Sequence, residues 1–255
     1  MNNTHDNPPE NNHVRHALFG GIAQLCEIVV RLTEVDGAAM AFFGSGGVVR
    51  ELVYASDVIS QQLDDLQFTL GEGPCIDSFV QRRVHLFDDI DAGRDGERWP
   101  VFTAEAIALG ARAVFAIPVG DSGTPLGVLE LYRRRPGGLT ETQLASATMC
   151  AEAAAVTIRR NWDVYAADTE HGDGAPAPVF EPGEFSRERV YLASGMVAVQ
   201  LSVSPDEALG RLRALAYKQG RPVKDVAEDI VSRAITFRDD ENDEDRNDEQ
   251  NEGRR

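Results

Sequence analysis

Apolar positions along the chain fall into two registers. At Leu18, Ile22, Leu25, Val29 and Leu32 they recur at alternating intervals of four and three, the seam of a helix that packs lengthwise on another helix. A second long helix is predicted from the capping box Thr140-Glu141-Thr142-Gln143, inside which Leu144, Ala147, Ala151, Ala154 and Ile158 repeat that spacing. The two helices are expected to pair within one chain, to cover a sheet, and to meet again across a dimer. Between them the pattern becomes that of short strands at residues 39–43, 48–54, 84–87, 113–119 and 126–132. Ser45-Gly46-Gly47 and Asp121-Ser122-Gly123-Thr124 supply hairpin turns for the first and last pairs. Residues 74–83 and 99–109 read as short helices, and residues 66–73 as a loop with aromatic character. The result is an α+β fold with a single antiparallel sheet flanked by helices, over residues 12–162, long enough to bury one full core.

Beyond this region the period is helical again. Ser204-Pro205-Asp206-Glu207 forms a capping box with proline at the first helical position, and Gly220 supplies the stop. Ala208, Leu212, Leu215 and Ala216 make the apolar stripe between them. The next helix opens at Pro222 and places Val223, Val226, Ala227, Ile230, Val231, Ala234 and Ile235 on one face. The preceding helix, residues 188–201, differs: Val190, Ala193, Val197 and Leu201 line one side, and Leu192, Met196 and Val199 another. A helix apolar on two sides needs cover on both, so the second side is expected to meet another copy of the chain or the N-terminal domain. Residues 186–238 thus form a small all-α module of three helices. Residues 163–185, rich in Gly, Pro and acidic groups, read as a linker; residues 1–11 read as a disordered arm and residues 239–255 as a disordered acidic tail.

Charge sharpens this division. The chain carries a net −17, yet residues 186–238 hold nine basic against six acidic side chains and both lysines, while residues 1–185 and 239–255 sum to −14 and −6. A basic module on an acidic protein is what approach to a polyanion requires. At 100° per residue, Tyr217 lies about 140° from the centre of its helix's apolar stripe and Arg213 about 100° from it, so both are expected to face outward. A tyrosine one turn beyond an arginine suits base stacking combined with a phosphate contact. Arg211 and Lys218 form a second basic edge, with Arg221 and Lys224 in the following turn. The bland alternative has Tyr217 packed on the first helix and the arginines solvated. DNA recognition by helices two and three is disfavoured because Asp225, Glu228 and Asp229 stand at outward positions, where they would repel phosphates.

The module resembles the ANTAR domain, the RNA-binding output domain of bacterial transcription antiterminators. The residues that carry the resemblance are Ala193, Gly195 and Met196, then Val203-Ser204 with Ala208, Leu212, Arg213 and Ala216, and Arg221-Pro222 leading into Asp225-Val226-Ala227 and Ile230. The resemblance implies binding of RNA hairpins that overlap terminators. Upstream, Leu70-Gly71-Glu72-Gly73-Pro74-Cys75 resembles a turn of GAF domains coupled to ANTAR modules, and Ala116-Ile117-Pro118-Val119 with residues 126–131 fits the same family. That likeness implies a sensor domain with a ligand pocket over the sheet, of unknown cofactor. No Cys-His dipeptide of the bilin-attaching kind is present.

Cys75 is the cysteine placed where such a sensor puts a ligand contact. It reads either as a thiol activated at a helix N-terminus or as a small packed side chain. Cys26 and Cys150 sit among apolar helical neighbours and read as core. Three unpatterned cysteines suit a reducing cytoplasm. His5, His13 and His16 lie in the polar arm, and His85 stands singly in a strand. No metal, phosphate-loop or nucleophile-elbow motif occurs, so no enzyme constellation is legible, and no apolar run has membrane-spanning length. The expectation is a cytoplasmic, homodimeric regulator that binds structured RNA under control of a sensor with a small-molecule ligand. The alternative is a ligand- or redox-sensing protein whose C-terminal helices serve dimerisation or protein binding.

Overall fold

The computed structural model describes residues 18–44, 49–92, 98–120, 123, 125–170 and 187–237, and the chain divides into two units, residues 1–187 and 188–255. The first unit runs α1 (Ile22–Thr33), β1 (Gly37–Phe43), β2 (Arg50–Ala55), α2 (Val58–Leu70), α3 (Pro74–Gln81), β3 (His85–Phe87), α4 (Pro100–Leu109), β4 (Ala113–Val119), β5 (Gly127–Arg133) and α5 (Glu141–Glu170). Its five strands form one sheet in the order β2-β1-β5-β4-β3. Every pairing is antiparallel.

Strand alternation gives the sheet two buried faces. Met40, Phe115, Ile117, Leu129 and Leu131 meet Ile22, Cys26 and Val29 of α1 and Ala147, Ala151, Ala154 and Ile158 of α5. The opposite face presents Ala41, Val114, Ala116, Val128 and Tyr132 to α2, α3 and α4. Phe102 and Leu63 there are fully excluded from water, each contributing about 1.5–3 kcal/mol over an exposed position. The capping box at α5 is reciprocal: the Thr140 N–H donates to Gln143 Oε1 at 3.0 Å, and the Gln143 N–H donates to Thr140 Oγ1 at 3.2 Å. Arg133, at the end of β5, donates to the carbonyls of Thr33 and Gly138 and to Gln143. It ties α1, β5 and α5 together.

Several expectations need correction. Residues 66–73 are not a loop: α2 ends at Leu70. A stripe of Ile59, Leu63, Leu66 and Leu70 marks it, but buried Ser60, Asp64 and Gln67 obscure that stripe. Asp57 caps its start by accepting from the Ser60 N–H at 2.7 Å. Residues 163–170, expected to belong to the linker, continue α5, which ends at Glu170. In the seam of α1, Ile22 and Val29 are core, whereas Leu32 is 53% exposed. The arm and its histidines, the Ser45-Gly46-Gly47 turn, residues 121, 122 and 124 of the second turn, linker residues 171–185 and the acidic tail lie outside the described residues.

The second unit consists of α6 (Glu188–Leu201), α7 (Pro205–Gln219) and α8 (Val223–Val231), which pack pairwise. Ser204 accepts from the Glu207 N–H at 3.2 Å, and Gly220 terminates α7 in the left-handed conformation at φ 60°. Val197, Leu212, Ala216, Val226 and Ile230 are fully buried. Because α8 stops at Val231, Ala234 and Ile235 fall beyond it and are not part of its apolar face. On α6, Leu192 is 49% and Val199 81% exposed. Among the described residues, no helix is long and apolar enough to cross a membrane.

Candidate functional site

Under α2 and α3 the sheet carries a buried polar cluster. Arg50 of β2, Glu130 of β5, Asp64 of α2 and Arg187, the last residue of the first unit, are buried charged residues, joined by the buried amide of Gln67 on α2. Burying charges in such number is costly unless each is paired. Arg50 Nη2 pairs with Asp64 Oδ1 and lies 3.3 Å from Cys75 Sγ, while Nη1 donates to the Asp64 carbonyl at 3.3 Å. Its guanidinium stands 5.5 Å from the centre of the Phe43 ring. Desolvation, the largest single influence, pulls the Arg50 pKa down, but Asp64, Cys75 and Glu130 together outweigh it and leave the group above its ordinary value. Arg50 is therefore a fixed cation.

Gln67 organises the other half. Its Nε2 donates to Glu130 Oε2 at 2.6 Å, and its Oε1 accepts the Cys75 N–H at 2.7 Å. Glu130 Oε1 has no hydrogen-bond partner among the described residues. Burial pushes the Glu130 carboxyl up to about 7, against the opposing hydrogen bond from Gln67. The bridge depends on Gly73, whose φ of 133° is in glycine's domain. A Cβ there would lie 2.6 Å from Gln67 Cγ. The Gly71-Glu72-Gly73-Pro74-Cys75 string thus has a local physical cause. Gly71 ends α2 at φ 72°, Gly73 makes room for Gln67, Pro74 starts α3, and Cys75 presents its N–H.

Cys75 itself is 1% exposed. Burial pushes its thiol up to about 12, with Arg50 opposing. Cys26 is likewise pushed up to about 12 by burial, and Cys150 is raised for the same reason. All three are free thiols. His85 is buried and, through desolvation first and Arg83 and Arg98 next, held below its usual pKa. Among the described residues, no group of His, Cys, Asp and Glu has the makings of a metal site.

The RNA-facing candidates occupy α7, its exit and the first turn of α8. Tyr217 is 55% exposed. Arg213, expected outward, is half-buried, as a position on the flank of the apolar stripe allows. Arg211 pairs with Glu207 at 2.8 Å and Arg221 with Asp229 at 2.7 Å. Lys218 and Lys224 are exposed. Arg50, Asp64, Gln67, Glu130 and Arg187 are absent from the sequence-based candidates. Charged or amide residues inside otherwise apolar strands and helices were the available signal, visible at Glu130 between Leu129 and Leu131.

A family model described as GAF domain matches residues 22–159, and one described as ANTAR domain matches residues 186–231. Among solved structures, the chain is similar to the GAF domain region of a putative membrane protein from Geobacter sulfurreducens PCA, with 16% identity, TM-score 0.47, and coverage of 60% of this chain and 99% of that one. It is also similar to the domain of a putative two-component sensor histidine kinase protein from Sinorhizobium meliloti 1021, with 17% identity, TM-score 0.46, and coverage of 57% and 92%. No curated protein matches the chain.

Proposed function

Since the chain belongs to the GAF-domain family and continues into an ANTAR domain, we propose that it is a sensor-controlled regulator that binds hairpin RNA through α7 and promotes transcription antitermination. The observation that carries this reading is Tyr217, a large aromatic left half-exposed on the basic helix of an otherwise acidic chain. Base stacking on such a ring contributes about 1–3 kcal/mol per base, and neighbouring cations hold the phosphates. Arg211, Arg213, Lys218, Arg221 and Lys224 are the cations assigned to that surface. Asp225 and Glu228, exposed on α8, make duplex DNA an unsuitable partner.

The sensor's ligand is a small molecule taken over the α2–α3 face of the sheet, with Cys75 and Glu130 in its wall. The working species is a cytoplasmic homodimer. Met149 and Val156 of α5, seven residues apart and 68% and 63% exposed, form the apolar strip that a second copy would cover. The chain has no catalytic role in this reading, because GAF and ANTAR domains are sensory and regulatory. A gel shift comparing a paired-hairpin RNA with a duplex DNA of the same length tests it. Preferential retention of the RNA supports the reading, and equal or absent retention overturns it.

The alternative, in which the C-terminal helices serve only dimerisation or protein binding, draws on Leu192 and Val199. Their exposure on α6 suits an apolar partner. It predicts a stable dimer with no RNA shift.

A further inference from the structure

Arg187 is an arginine held on every side by the first unit. Its Nη2 pairs with Asp64 Oδ2 and lies 3.2 Å from Asp65 Oδ1, and its Nη1 donates to the Arg50 carbonyl at 3.4 Å. The guanidinium carbon lies over the Phe68 ring, 3.9 Å from its centre. The backbone N–H of Arg187 donates to both carboxylate oxygens of Glu51, at 3.3 and 3.2 Å. Asp64 and Phe68 are 2% and 1% exposed, and Arg187 itself 4%. Carboxylate, carbonyl and aromatic face are the three partners that a planar cation with a fork of donors matches and an ammonium does not. Asp64 divides its two oxygens between Arg50 and Arg187. Removing either cation leaves a buried carboxylate with half its compensation.

We propose that Asp64, Asp65, Phe68 and the Arg50 carbonyl form a guanidinium-binding socket of the GAF unit, filled in cis by Arg187, and that small guanidinium compounds bind in exchange for it. The next residue, Glu188, begins α6. Occupancy of the socket by Arg187 therefore holds the backbone just ahead of that helix, through its N–H on Glu51, and exchange frees it. The socket stands apart from the RNA-binding reading and would take its cation whether or not α7 binds nucleic acid. A group supplied by the same chain competes at roughly millimolar effective concentration, so a free guanidinium of equal intrinsic affinity must reach that range to displace it.

The test is chemical rescue on the full chain. Arg187→Ala should melt lower than the parent and exchange its amide hydrogens at residues 188–191 about tenfold faster or more. Ethylguanidinium at millimolar concentration should restore roughly half of the lost melting temperature, by the linkage of binding to stability. Ethylammonium at the same concentration should not, and neither compound should stabilise the parent. If Arg187→Ala fails to fold, Asp65→Asn, which alters only the half-exposed rim, serves in its place and should show the faster exchange at residues 188–191. Unchanged exchange in these variants, or equal responses of Arg187→Ala to ethylguanidinium and ethylammonium, would overturn the socket.

Discussion

Gln67 joins Glu130 to Cys75: one end of its amide donates to the carboxylate at 2.6 Å, and the other accepts the cysteine N–H at 2.7 Å. A helix, a strand and the start of a second helix are thereby locked through one side chain.

The first expectation is a pH dependence seated at Glu130. Burial raises its folded pKa to about 7 from a starting value of 4.5. Between those values the folded chain holds more protons than the unfolded one. Stability is thus highest below the lower value and falls as pH rises through the upper. Glu130→Gln keeps an acceptor for Gln67 and lacks the titration. Urea unfolding should show the parent losing roughly 3 kcal/mol relative to the variant from pH 4.5 to pH 7. Parallel profiles for the two proteins would refute it.

Gly73→Ala attacks the same bridge from the backbone. The positive-φ backbone and the collision with Gln67 together should cost about 1–3 kcal/mol or more. A melting temperature equal to the parent's would show that Gln67 is free to move aside.

Cys75 should behave as packing in the folded state. A thiol pushed up to about 12 and shut away from solvent offers almost no thiolate at neutral pH. Labelling with a thiol reagent should proceed only as fast as the chain opens, and mild oxidant should leave RNA affinity unchanged. Rapid stoichiometric modification of Cys75 would instead favour the redox-sensing alternative.

For the RNA surface, Tyr217→Ala should weaken hairpin binding by about 1–3 kcal/mol with little change in melting temperature. Arg213→Ala should lower both, since the side chain is half-buried. Should Tyr217→Ala bind as well as the parent, α7 does not present a stacking platform.

Assembly is best probed on the outer strip of α5. Met149→Glu or Val156→Glu alters an exposed position and should convert a dimer into a monomer without unfolding it. Leu25 is a poorer probe than its seam position suggests, because it packs against the core. A sedimentation coefficient unchanged by both α5 variants would remove that surface from the dimer.

The helices with one apolar side and a marked cap were legible in the sequence: Ser204 and Gly220 bracket α7 as their types predict, and Thr140 and Gln143 open α5. The β4 strand matched its apolar run because both its faces are buried. What escaped was the segment whose interior face is polar. In α2, Asp64 and Gln67 occupy positions where periodicity looks for leucine, and their reason for being there is a set of partners 14 and 63 residues away. Arg187 escaped for the same cause. Next to a Gly- and Pro-rich stretch it reads as one more solvated charge, and only the fold brings Asp64 and Phe68 to it.

Arg187 also bears on how such proteins diversify by exchanging parts. The GAF match ends at residue 159 and the ANTAR match begins at residue 186, so recombination anywhere between those points hands the arginine to the incoming partner. The acidic side of its ion pair stays behind. A chimera joined to this GAF domain with no arginine just ahead of its first C-terminal helix would strand Asp64. A cut made where the GAF match ends therefore falls short of the residue that neutralises the GAF core.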